Sequence, residues 1–157
     1  MNPGYRDVKL FHSRDTSVRE SATQFTEKEP LMPNQVISTP YAPEYSDYSQ
    51  AVRAGNTIYV AGTTGVDVAT GEFAGTTIET QGRQALLNVQ TILRAAGAEL
   101  ADVVMVHTLL ARTEDAAPLC DIFEEFYPDV RPPRCVSRIG VDRPGLLVSL
   151  AVVAVIE

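Results

Sequence analysis

The chain has 157 residues, enough for one domain with an appendage, and its 13 basic and 20 acidic side chains leave a net charge of −7. An apolar content of 45% is too high for a disordered chain, and no apolar run reaches the roughly 18 residues of a membrane span. Two cysteines and two histidines exclude a disulfide framework and any familiar structural metal site, so a soluble, reduced, cytoplasmic protein is expected.

Residues 1–36 are charge-balanced. They lack sustained periodicity and end at Pro30, Pro33 and Asn34, so they read as an arm preceding a domain over residues 37–157. Val8 and Leu10, with Phe11, read as a short strand or a docking patch within the arm. Tyr48 to Arg53 reads as a short strand, Gly55-Asn56 as a hairpin turn, and Thr57 to Ala61 as a second, β-branched and aromatic strand. Gly62-Thr63-Thr64-Gly65 is expected to break it. This glycine pair has neither the GKS/GKT nor the GxGxxG pattern of a phosphate loop.

Thr77 to Ala96 is the clearest helix. Ile78, Gly82, Ala85, Leu86, Val89, Leu93 and Ala96 recur at three- and four-residue steps. Thr76 or Thr77 can cap its start, and Gly97 suits its end. Asp102 to Ala111 reads as an apolar strand. Glu114 to Tyr127 is a second helix with Leu119, Ile122, Phe123 and Phe126 as its stripe, and Pro128 ends it. Arg134 to Ile139 and Leu146 to Ile156 are the last two strands. The order ββαβαββ predicts an α+β domain, a mixed sheet with two helices on one face. The last strand is apolar on both sides, which two helices on one face cannot cover. The open sheet face must therefore meet another chain, and a homo-oligomer is expected.

The domain has no lysine, which removes the usual anchor of pyridoxal phosphate and of lysine-based aldol chemistry. Its acidity disfavours nucleic acid. Arg131, Arg134, Arg138 and Arg143 form the one local positive feature; surface ion pairs would be the plain account of each, and carboxylate or phosphate recognition the functional one. His107 reads as a satisfied buried or interface histidine. Cys120 reads as core packing beside Leu119 and Ile122. Cys135 follows Arg134, and no general base is evident for it.

The segments YSQAVRAGNTIYVAG (48–62), TGE (70–72), QGRQALLNV (81–89), AAGAELADVV (95–104), FEEFY (123–127) and PPR (132–134) resemble, in order and spacing, the Rid proteins, also called the YjgF family, whose type member is an imine deaminase. The resemblance implies a chorismate-mutase-like subunit and a homotrimer whose sheets form a central barrel with three clefts between subunits. It implies a small-molecule carboxylate substrate and no cofactor, metal, nucleic acid or membrane. By the same resemblance Arg134 clamps the substrate carboxylate and Tyr48 lines the cleft. Gly62, with the adjoining Thr63, offers backbone contacts, and Cys135 contributes its backbone N–H. Two positions depart from the family pattern: Ser149 stands where deaminases carry a glutamate, and Cys120 where asparagine is common. Hydrolysis of an imine acid is the function so implied; a non-catalytic metabolite-binding module is the alternative, and ribonuclease activity the weakest reading.

Overall fold

The structure is a computed structural model that describes residues 33–157. The Val8, Leu10 and Phe11 patch lies outside the described residues. Eight main elements follow in order: β1 (Gln35–Ile37), β2 (Ala51–Ala54), β3 (Thr57–Thr64), α1 (Ile78–Ala95), β4 (Val103–Leu110), α2 (Ala116–Phe126), β5 (Arg134–Arg138) and β6 (Val148–Val155). They form one six-stranded sheet ordered β1-β2-β3-β6-β4-β5. Only β4 and β5 pair in parallel, so the sheet is mixed.

Alternation along the strands separates two faces. Val148, Leu150, Val152 and Ala154 of β6 are fully buried, as are Val106, Thr108 and Leu110 of β4. Both helices pack on this side. On the other side Ala151, Val153 and Met105 are half-buried, while Tyr59 and Val155 are exposed. The expected α+β layer, with two helices on one face, is what the chain forms.

Helix α1 owes its ends to the residues read from sequence. Thr77 caps it by accepting the Thr80 N–H, Glu79 opposes the dipole in the first turn and Arg94 in the last. Gly97 lies just beyond it at φ +81°, where a side chain would be strained. Pro118 sits in the first turn of α2, where its missing N–H costs no intrahelical bond. The β2–β3 hairpin turns at Gly55, φ +60°, followed by Asn56 at negative φ, which is the glycine-first two-residue turn.

Three sequence expectations change. β1 is an additional strand, formed by residues that carry no periodicity because there are only three. The short strand expected from Tyr48 begins at Ala51, and Tyr48 makes an isolated bridge with Tyr45 instead. β3 does not break at Gly62; it runs to Thr64 through a shift in register between Val60 and Thr63. That irregularity absorbs the glycine without ending the pairing.

Candidate active site

Pro132 and Pro133 hold the chain extended before β5, and the Pro133 carbonyl accepts the Val106 N–H at 3.0 Å. This docks β5 onto β4 with Arg134 paired to Val106, whose side chain is wholly buried on the helix face. Arg134 therefore points toward α2. Its guanidinium carbon lies 4.2 Å from the centre of the Phe123 ring, and Nη2 donates to Cys120 Sγ at 3.5 Å. The stack is worth about 0.5–2 kcal/mol and fixes the plane of the group. A cavity of about 220 Å³ opens here, lined by Cys120, Phe123, Tyr127, Pro132 and Arg134, with Glu124 and Arg131.

Among the described residues no carboxylate pairs with Arg134. Glu124, the acid in the same cavity, is taken by Arg131 at 3.1 Å. The plain reading of the arginine cluster thus holds for Arg131. It fails for Arg134, Arg138 and Arg143, none of which has a carboxylate partner among the described residues. Arg143 instead covers the Phe73 ring at 4.8 Å.

Cys120 is exposed, not core packing: its neighbours Leu119 and Ile122 take the buried stripe and leave its sulfur beside Arg134. The phase of the β4–β5 ladder corrects a second expectation. Val106 N–H bonds to Pro133 O and Ile139 N–H to Leu110 O. With that phase the Cys135 N–H faces β4, and the amide free at the sheet edge beside Arg134 is that of Val136. The Cys135 side chain faces away from the Arg134 cavity. Its sulfur lies 3.0 Å from Nδ1 of His107, its partner in the ladder. His107 is exposed on the open face of the chain, which removes the buried reading and leaves the interface one.

Tyr48, Gly62 and Ser149 gather elsewhere. A Cβ at Gly62 would stand 3.0 Å from Ser149 Oγ, so the absence of a side chain leaves that hydroxyl its space. Ser149 pairs with Thr64, whose hydroxyl bonds Tyr45 Oη at 2.7 Å, and Tyr48 stacks on Tyr45 with centroids 4.9 Å apart. Burial, then Tyr45 and Asp47, raise the Tyr48 hydroxyl above the ordinary tyrosine value, against the opposing pull of Arg143. Thr63 is not part of this surface. It pairs with Leu150, is buried, and spends its hydroxyl on the Ala61 carbonyl. Ser149, itself buried, lies between Val148 and Leu150 of the helix face and so belongs to the open face, with β4 between its strand and β5. One chain thus places two clusters on opposite faces of the sheet: Arg134 with Cys120, and Gly62 with Ser149 and Tyr48.

Sequence reasoning missed two features. Tyr127 was read only as a helix end, yet its ring stacks on Phe123 and lines the Arg134 cavity, with its hydroxyl buried and without a partner. The FEEFY spacing carries the signal, since Tyr127 falls four residues after Phe123. The His107–Cys135 contact depends on which strands pair, and no local pattern announces it.

The family model described as Endoribonuclease L-PSP matches residues 39–156. A 2-iminobutanoate/2-iminopropanoate deaminase of Dermatophagoides farinae is 37% identical over 112 residues, 71% of this chain and 86% of that one. The bovine protein of the same name is 33% identical over 77% of this chain and 89% of its own length. The crystal structure of RidA from an Antarctic Psychrobacter superposes with a TM-score of 0.73 at 32% identity, covering 78% of this chain and 99% of that one. The chain belongs to the Endoribonuclease L-PSP family, the YjgF or Rid family that its motifs resemble.

Proposed function

We propose that this protein hydrolyses small 2-imino acids, in equilibrium with their enamines, to the 2-keto acid and ammonia. The observation that carries this reading is the Arg134 guanidinium, held by Phe123 and Cys120 at the wall of a cavity and paired with no carboxylate among the described residues. A guanidinium so placed accepts a substrate carboxylate through two parallel N–H bonds, and the free Val136 amide offers a third. The relatives named as imine deaminases support the same reaction class.

An imine already reacts with water, so the protein's task is to hold the acid, orient the water and stabilise charge at nitrogen. Water adds to C2, the carbinolamine forms, and its C–N bond breaks as nitrogen takes a proton and leaves as ammonia. Hydrolysis of this kind needs no electron carrier or group carrier. Ser149 and the Gly62 backbone stand ready to orient the water.

The two half-sites meet only if a second copy brings its Gly62–Ser149 surface to the Arg134 edge. We therefore place the cleft between subunits of a homotrimer, with the apolar open faces packed inward. A second reading has one observation in its favour: among the described residues the strands present no carboxylate on the open face beside Ser149 to activate the water. On that reading the cleft binds 2-keto or 2-imino acids without turnover.

Hydrolysis of 2-iminobutanoate generated in situ separates the two. The expected result is a rate above buffer that falls about a hundredfold or more in Arg134→Ala, with the assembly unchanged. A wild-type rate equal to buffer, with calorimetric binding of 2-ketobutanoate, would establish the binding module instead.

A further inference from the structure

The loop between β1 and β2 carries Tyr48, and two contacts fasten it. The buried Gln50 side chain accepts the Thr39 N–H at 2.7 Å, and its Nε2 lies 3.0 Å from the carbonyl oxygens of Thr39, Ala42 and Pro43. Among the described residues, Tyr45 is the only side chain of residues 44–49 that hydrogen-bonds to the rest of the domain: its Oη meets Thr64 Oγ1 at 2.7 Å. Thr64 is a fixed point. It is buried at the end of β3, and its carbonyl accepts Nδ2 of Asn88 from α1 at 2.9 Å. The Tyr45 ring so anchored lies against Tyr48, with centroids 4.9 Å apart and planes 22° from parallel, within the range of a stacked aromatic pair. The Tyr48 hydroxyl makes no side-chain hydrogen bond among the described residues, so the stack sets where its ring lies. Each of these contacts lies within one chain, so they stand whichever copy completes the cleft.

We propose that Tyr45 is a positioning residue of the cleft: held by Thr64, its ring fixes the place and tilt of Tyr48, which forms the wall that the bound acid meets. The proposal rests on the imine reading for what the cleft binds. Tyr45 acts through Tyr48 and touches no reacting atom. A ring ordered beforehand loses no freedom when the substrate arrives, whereas a loose one must be immobilised at each binding event. The hydroxyl of Thr64 is the part of the device that can be removed cleanly. Valine at 64 keeps the shape and loses the bond to Tyr45, while serine keeps the bond.

The test follows the tyrosine ring signals of the intact, carbon-13-labelled protein by NMR, with Tyr48→Phe identifying the Tyr48 signal by its loss. In the wild type that signal is expected away from the free-tyrosine position, displaced by the Tyr45 ring beside it. Thr64→Val is expected to return it toward the free position and to lower kcat/KM for 2-iminobutanoate about tenfold. Thr64→Ser is expected to restore both. An unmoved Tyr48 signal in Thr64→Val overturns the proposal, and so does a moved signal with kcat/KM unchanged. Should Thr64→Val fail to fold, Tyr45→Phe removes the same bond and carries the same expectation. A wild type that binds 2-ketobutanoate without hydrolysing the imine overturns the imine reading alone; affinity for 2-ketobutanoate then replaces kcat/KM, with the same loss and recovery expected. A wild type with neither turnover nor binding overturns both.

Discussion

Tyr127 is the residue whose burial has the plainest cost. Its hydroxyl is enclosed without a hydrogen-bond partner, and burial lifts its pKa from 10.0 to about 12. An unsatisfied buried hydroxyl costs about 1–3 kcal/mol. Tyr127→Phe removes that cost while keeping the stack on Phe123, so thermal stability is expected to hold or rise. The sign of the pH effect follows from the raised value. In the folded state the phenol keeps its proton at a pH where the unfolded chain has already lost it. The stabilisation is therefore complete below pH 10.0 and is lost as pH rises toward about 12. Urea titrations across this range should show a steeper loss for the wild type than for Tyr127→Phe; parallel losses would remove Tyr127 from the account.

Single positions also show why side-chain roles were only partly legible. Arg134 was located by resemblance, since it fills the family's position after a proline turn at the start of the penultimate strand. Cys120 was misplaced because an amphipathic stripe marks the buried positions but not the edge of the stripe. Ser149 was located by resemblance, and its company with Gly62 follows from the β3–β6 register. The His107–Cys135 pair was invisible because it joins residues 28 apart through a parallel ladder.

Among the elements, α1 was readable nearly to the residue because its period, cap and terminal glycine agree. β1 was not, because three residues carry no period. β3 ran past its expected end because a register shift, not a turn, accommodates the Gly62 segment. Gly65 just beyond has a reason of its own. A Cβ there would stand 2.3 Å from the Gln81 carbonyl oxygen, which is backbone of α1 and cannot yield. The same turn of α1 is tied down by the Gln81 side chain, which donates to the Gly75 and Gly145 carbonyls and accepts the Leu147 N–H. Gly65→Ala is expected to cost about 2–4 kcal/mol by forcing β3 and α1 apart, a loss visible as a lowered urea midpoint. A midpoint equal to wild type would mean that the close approach is not maintained in solution.

At the scale of the whole molecule, the helix face of the sheet is complete and the open face is not. Tyr59 and Val155 are exposed there beside the half-buried Val153, Ala151 and Met105. Apolar residues in such a row are characteristic of a face that another chain covers. Val153 sits on the central strand β6, so Val153→Asp would place a charge in the middle of any packed interface. Light scattering is expected to find this variant dissociated and the wild type associated; an associated Val153→Asp would move the interface elsewhere. The fold class was legible from the order of strands and helices, while a partner on the open face stays an expectation drawn from apolar content on both sides of the last strand. That Arg134 and Ser149 lie on opposite faces of the sheet was not legible, because it follows from strand order and ladder phase.

The claim that one cleft is built by two copies is tested most directly by complementation. Arg134→Ala destroys one half-site and Gly62→Val crowds the other against Ser149, so each variant alone is expected to be inactive toward 2-iminobutanoate. Unfolded and refolded together in equal amounts, they should recover about a quarter of the wild-type rate, the share of intact clefts that random mixing produces in a cyclic trimer. No recovery from mixed assemblies of confirmed composition would contradict the account and confine the site to a single chain.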